Sequence, residues 1–222
     1  RKILNHITGL GPSFYSNSKK RNFFNNFFNP IYRYAFKNKN AINIFHNQDD
    51  RSTFIKKGLT NLKNTMVIEG SGVDLNHFKV YSPKNKFNKI VQILFPARII
   101  REKGITELIS ACKQLWDQDY KFNLNIAGET DLQNKSSLNK KNLKEIENNL
   151  NIKLIGKSNN MLNVYRLMDI VVLPSWREGT SKSLLEASSM QLPIITTDVP
   201  GCNNVVKHYI SGLLIPVKDE NS

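Results

Sequence analysis

Apolar residues along this chain fall into short runs that alternate with helical stripes. Ile90-Val91-Gln92-Ile93-Leu94-Phe95 begins a strand predicted over 90–97. In the following segment, 104–116, Ile105, Leu108, Ile109, Cys112, Leu115 and Trp116 share one face, the spacing of a helix with a single buried side. The same reading predicts strands at 122–127, 152–155, 169–173, 193–197 and 212–215. Helices are expected at 138–149, 160–168 and 182–190, with a short one after Pro200. Near-continuous apolar strands separated by helices predict a parallel sheet covered on both faces. Before residue 80 the alternation is less regular, with strands near 3–7, 42–46 and 65–68 and helices near 22–37 and 48–57.

The segment 81–89 is polar, contains Pro83 and separates two patterned regions, so a domain boundary is placed there. The expected division is 1–80 and 81–222. The chain starts at Arg1, just before the apolar pair Ile3-Leu4, and runs out soon after Gly212-Leu213-Leu214-Ile215-Pro216. It is therefore read as a fragment at both ends, its N-terminal domain incomplete and its C-terminal domain lacking the last helices. No apolar run approaches the roughly 20 residues that span a bilayer. Cys112 and Cys202 fit no metal or redox spacing and suggest a reducing compartment. The formal net charge of +14 points to an anionic partner: nucleic acid, a membrane face or a phosphorylated substrate.

Ligands of open parallel sheets bind beyond the carboxyl ends of the strands. Four predicted strand ends carry candidate chemistry: Arg98 to Gly104, Gly128-Glu129, Gly156-Lys157-Ser158, and Pro174 to Ser181. Each loop alone reads more readily as an ordinary turn. Together they gather glycines, cations and helix N-termini on one edge, which suits a phosphorylated ligand. Arg98 and Lys103 add full charges, and an arginine can clamp phosphate bidentately.

With these residues in view the chain resembles glycosyltransferase family 4, whose fold is called GT-B. The motifs run from Thr8-Gly9-Leu10-Gly11 through Gly70-Ser71-Gly72-Val73-Asp74 and Ala97-Arg98 to Lys103-Gly104. They continue through Leu173-Pro174-Ser175-Trp176-Arg177-Glu178-Gly179, Leu184-Leu185-Glu186-Ala187, Pro200-Gly201-Cys202 and Gly212 to Pro216. The most specific element is Glu178, seven residues, then Glu186. The resemblance implies an α/β fold of GT-B type with Rossmann-like parallel sheets, and residues 81–222 as the nucleotide-sugar domain. It implies a retaining, metal-independent hexosyl- or N-acetylhexosaminyltransferase, with no cofactor beyond the nucleotide-sugar substrate, expected to be UDP-linked. Glu178 is then expected at the transferred sugar, Arg98 and Lys103 on the diphosphate, and Glu186 on the ribose hydroxyls. Gly179 and the backbone N–H groups of Thr180, Ser181 and Lys182 would meet sugar hydroxyls or phosphate, and Gly128, Gly156 and Lys157 would complete the donor side. Thr8, Gly9, Gly11 and Gly72 fall on the acceptor side. The expected acceptor is a saccharide or polyprenyl-linked sugar of bacterial surface polysaccharide synthesis, and the expected place cytoplasmic, peripheral to the membrane's inner face.

Two departures stand out. Thr180-Ser181-Lys182 is more polar than the family's usual loop, which leaves sugar specificity open. Thr8 occupies the position where many relatives carry a histidine. His6 lies two residues earlier, on the same strand face; it reads as a core residue, with a compensating role as the alternative. Asp117-Gln118-Asp119 imitates a metal-binding Asp-x-Asp, but its place between a helix and a strand puts it at the wrong end of the sheet. Cys202 reads as a small packed residue near the donor site.

Competing functions remain: a sugar-nucleotide epimerase of the same architecture, a non-catalytic nucleotide-sugar-binding fragment, and a nucleic-acid-binding protein, for which no motif is present. Residues 19–39 surround seven aromatic side chains, Phe23 to Phe36, with lysines and arginines and no acid. Such a helix either packs its Phe face inward or lies on an anionic membrane. Flotation with anionic vesicles separates the two; co-flotation is the membrane outcome, and no binding removes that reading.

Overall fold

A computed structural model describes residues 2–10, 29–80, 90–130, 134 and 136–221. The chain divides into two units. Unit 1 is Arg1–Gly72 with Glu178–Thr180, and unit 2 is Val73–Arg177 with Ser181–Ser222. The polar segment 81–89, where the sequence places its boundary, lies outside the described residues; the chain changes unit after Gly72.

Unit 1 is built on three parallel strands, β1 (Ile3–Ile7), β2 (Ala41–Phe45) and β3 (Thr65–Val67), in that spatial order. Ile3 pairs with Ala41 and Asn43 with Thr65. Residues 29–36 are helical (α1), and α2 spans Gln48–Lys56. Phe45, Phe54 and Leu59 form its core, with Ile7, Leu10, Phe36 and Val67 packed against them. Phe54 meets both Phe36 and Phe45 edge to face, the geometry aromatic quadrupoles favour. Residues 19–28 of the basic aromatic segment lie outside the described residues. In its described part Phe36 faces the core while Ile31 and Tyr34 are exposed.

Unit 2 carries six parallel strands: β4 (Val91–Phe95), β5 (Phe122–Ile126), β6 (Ile152–Leu154), β7 (Ile170–Leu173), β8 (Ile194–Thr197) and β9 (Gly212–Ile215). Their spatial order is β6-β5-β4-β7-β8-β9. Sequence direction therefore reverses between β4 and β7, the switch point at which open α/β sheets leave a crevice for ligands. Helices α3 (Ile105–Asp117), α4 (Lys140–Glu147), α5 (Met161–Leu167) and α6 (Lys182–Ser189) connect the strands. Ile105, Leu108 and Cys112 turn the predicted stripe of α3 into the core, and burial pushes the Cys112 thiol up to about 12. Asn139 and Asn160 cap α4 and α5 by accepting from the N–H three residues on, and Asn47 does the same for α2. Such caps contribute about 1 kcal/mol each.

Among the described residues, element types match the sequence expectation, with one correction. The short helix after Pro200 is a run of turns over 200–205. Gly201 has φ +83°, a left-handed conformation that interrupts helical continuation. The Asp117-Gln118-Asp119 decoy ends α3 and turns into β5, at the amino end of the sheet, with Asp119 at φ 65°.

The loops at the switch point approach so closely that side chains are excluded. A Cβ on Gly104 would lie 2.0 Å from the Pro174 carbonyl oxygen, and its φ is +75°. Gly104→Ala should therefore destabilise unit 2 by at least about 2 kcal/mol, from left-handed strain plus the clash. Urea unfolding checks this, with a lowered midpoint expected.

Candidate functional site

In unit 2 the candidate residues lie along the carboxyl ends of the strands. Arg98 follows β4 and is exposed, and Lys103 is half-buried at the end of a short 3-10 turn, Arg101–Lys103. The loop after β7 is tied to that turn: the Glu102 carbonyl accepts from the Trp176 N–H at 2.9 Å and from Ser175 Oγ at 3.1 Å. Trp176 Nε1 donates to Glu107 at the start of α3, 3.0 Å away. Gly128 closes the other side, where a Cβ would sit 1.9 Å from the Ala97 carbonyl oxygen. Gly156 and Lys157 follow β6, two strands from β4. Strand spacing places them about 10 Å from the switch point. Gly156 has φ +71°, with open space around the position of a Cβ.

The loop after β7 opens α6, whose first-turn N–H groups have no intrahelical acceptor. The Ser181 N–H, expected to face a ligand, donates instead to the Gly201 carbonyl at 3.1 Å. Glu186 is 8% exposed on the second turn. The Tyr165 hydroxyl lies 3.1 Å from its Oε2, and Lys182 Nζ lies 3.7 Å from its Oε1. Burial first, then the Glu186 charge and the hydrogen bond to it, raise the Tyr165 phenol far above its ordinary value. Tyr165 thus stays a neutral donor to a carboxylate.

Unit 1 assembles a second group of candidates. Glu178–Thr180 belongs to this unit although the residues flanking it do not. The Gly179 carbonyl accepts from Asn47 Nδ2 at 2.7 Å, and Thr180 Oγ1 donates to the His46 carbonyl at 3.1 Å. A Cβ on Gly179 would fall 1.6 Å from the Thr8 carbonyl oxygen. Only glycine fits that approach, so Thr8, Gly9 and Gly179 meet backbone to backbone. A Cβ on Gly9 would still clear Gly179, at 3.4 Å. Gly72 has φ +70° and no neighbour within 4 Å of a Cβ. Gly11 lies outside the described residues.

His6 differs from its reading as a core residue. It is exposed, and its Nε2 lies 2.8 Å from Nε2 of His46, which is 7% exposed. One facing nitrogen must donate and the other accept, so the contact accommodates a single proton. His46, Asn47 and Tyr165 were missed by sequence reasoning. The first two stand directly after β2, where the strand-end rule applied to the later strands would have found them. Tyr165 carried no local signal beyond a polar-tipped aromatic on a buried helix face. Among the described residues no three His, Cys, Asp or Glu side chains cluster as metal ligands.

Burial, then the neighbouring His6, lower the His46 pKa from 6.5, against the opposing pull of Asp50. The unfolded chain then binds a proton that the folded chain refuses, so stability falls as pH drops below 6.5. The slope for one proton is at most about 1.4 kcal/mol per pH unit. Melting temperature should decline from neutral pH toward pH ~5.5, and His46→Gln should flatten that decline in thermal scans.

Residues 78–222 match the family model of the glycosyl transferases group 1. The capsular polysaccharide biosynthesis glycosyltransferase CapM of Staphylococcus aureus is 27% identical over 155 residues, which cover 67% of this chain and 40% of that protein. The N,N'-diacetylbacillosaminyl-diphospho-undecaprenol alpha-1,3-N-acetylgalactosaminyltransferase of Campylobacter jejuni is 26% identical, covering 96% of this chain and 57% of its own length. The chain thus spans roughly half the length of these relatives. Among solved structures, Anabaena Alr3699/HepE in complex with UDP-glucose superposes with a TM-score of 0.74 at 19% identity, over 99% of this chain and 60% of that one. Sucrose-phosphate synthase of Thermosynechococcus elongatus gives 0.76 at 19% identity, over 98% and 55%. These likenesses establish the fold as the parallel α/β architecture of GT-B glycosyltransferases, and the family match over 78–222 shows that this chain belongs to the glycosyl transferases group 1.

Proposed function

We propose that this chain supplies the donor-binding part of a retaining, metal-independent glycosyltransferase that uses a nucleoside diphosphate sugar, UDP-linked. The observation that carries the reading is the switch point of unit 2, where the loop holding Arg98 and Lys103 is tied to the loop that opens α6. A diphosphate acquires charge as the glycosidic bond breaks. Arg98, Lys103 and the α6 N-terminus are suited to stabilise that charge, carried on loops whose backbones are tied together. Glu186, a buried carboxylate, is suited to accept from the ribose hydroxyls, and Gly128, Gly156 and Lys157 border the donor side.

In this reading Glu178 contacts the transferred sugar and does not form a covalent intermediate. The acceptor attacks from the side of the leaving diphosphate, so the anomeric configuration is kept. Thr8, Gly9 and Gly72 belong to the acceptor side. The acceptor is a saccharide or a polyprenyl-linked sugar of surface polysaccharide synthesis. Relatives named for capsular polysaccharide synthesis and for an undecaprenol-linked acceptor support that class. UDP is supported by a relative named for a UDP-Gal donor and by the structural neighbours bound to UDP and UDP-glucose. The place of action is cytoplasmic, where such a donor and acceptor would meet at the inner face of the membrane. Phe36 of the segment 19–39 packs against the core of unit 1, and the flotation experiment decides whether the rest of that segment touches lipid. Among the described residues no helix is long and apolar enough to cross a membrane.

Titration calorimetry with UDP-sugars tests the site. Glu186→Ala and Arg98→Ala should each weaken binding by about 10- to 100-fold, the scale of hydrogen bonds to charged groups. If both variants bind as tightly as the parent, the donor-site assignment is wrong.

A further inference from the structure

Tyr165 is fully buried on α5, and its hydroxyl faces two acceptors on α6. The Ser183 carbonyl lies 3.0 Å away and Glu186 Oε2 3.1 Å away. A buried hydroxyl without a partner costs several kcal/mol on transfer scales. The helix carbonyl alone would meet that need. The second contact therefore does something more: it holds one oxygen of a carboxylate that is itself almost removed from water. The opposite oxygen, Oε1, lies 3.7 Å from the Lys182 ammonium, and that lysine side chain is 67% exposed. The ring of Tyr165 is braced by Phe78, edge to face at 6.0 Å.

An ionised carboxylate offers about four acceptor positions. One is engaged by Tyr165, and a vicinal diol needs two. A free glutamate side chain would have to be ordered when the diol bound; one already held by a phenol does not bear that entropy cost at binding. Burial keeps the phenol neutral at working pH, so it stays a donor throughout. We propose that Tyr165 is the positioning residue for ribose recognition: it holds Glu186 Oε2 and leaves the remaining acceptor positions of the carboxylate for the 2′- and 3′-hydroxyls of a nucleoside diphosphate. This rests on the donor-site reading above. Tyr165 touches no ligand itself, and its effect on binding passes through Glu186.

The test compares UDP with 2′,3′-dideoxy-UDP, which keeps the base and diphosphate but lacks the diol. Affinities are measured by calorimetry for the parent, Tyr165→Phe, Glu186→Gln and the double variant. The parent should prefer UDP. Tyr165→Phe, which retains the ring, should weaken UDP by about 10-fold and the dideoxy analogue by less than about 2-fold, narrowing the preference. In the Glu186→Gln background the tyrosine change should have no further effect on the preference. Equal weakening of both ligands marks a merely structural tyrosine and overturns the proposal, as do unchanged UDP affinity and additive losses. If Tyr165→Phe does not fold, 3-fluorotyrosine at position 165 replaces it, since it keeps the ring and alters only the donor strength of the hydroxyl: a changed UDP affinity with an unchanged dideoxy affinity supports the role, and an equal or absent effect on the two ligands overturns it. A parent that binds neither nucleotide overturns the donor-site reading itself, and the proposal with it.

Discussion

The bonds between the Glu102 carbonyl and the Trp176 N–H and Ser175 hydroxyl are what the rest of unit 2 depends on. They join the loops after two adjacent strands whose connections leave in opposite directions. The approach is so tight that Gly104 faces the Pro174 carbonyl with no room for a Cβ. Two features follow from this joint. The cationic stretch Arg98 to Lys103 is held beside the loop that opens α6. The joint also sits on the carboxyl side of a fully parallel sheet, where helix N-termini and their partial positive charge gather.

Charge in this protein is informative by placement more than by total. The net +14 narrows the partner only to something anionic. What distinguishes unit 2, among the described residues, is the contrast between the strand-end cations Arg98, Lys103 and Lys157 and the buried acid Glu186. Glu186 keeps its place inside because Tyr165 donates to one oxygen and Lys182 stands near the other. A buried carboxylate lacking such company would be costly. Unit 1 solves a different problem. There the Thr8 backbone and the Glu178–Thr180 segment lie so close that Gly179 is required, and the neighbouring Asn47 and His46 hold the segment by polar contacts.

The abundant asparagines also find use in the fold. Asn47, Asn139 and Asn160 cap three helices. Asn43, fully buried on β2, donates to Thr60 Oγ1 at 2.8 Å and accepts from Asn5 on β1 at 2.8 Å. A polar residue in a sheet interior is tolerated when its amide is satisfied on both sides, and this one cross-links two strands of a small core.

Strand and helix periodicities are local, so the sequence by itself determined the order and type of nearly all described elements. The run of parallel strands predicted for 90–215 appears as such, and strand-end loops were recognisable as candidate positions by rule. The exception after Pro200 was local too: Gly201 adopts a left-handed conformation that an apolar pattern does not encode. Contacts between residues distant in the chain were decided only by the tertiary structure. His6 meets His46 across 40 residues, Tyr165 reaches Glu186 across 21, and Asn47 reaches Gly179 across 132. The Ser181 N–H, open by sequence logic, is occupied by Gly201 because that turn folds back over the start of α6. Each of these pairings depends on which strands lie side by side, and strand order follows from how apolar faces pack together, which no single stretch of sequence records.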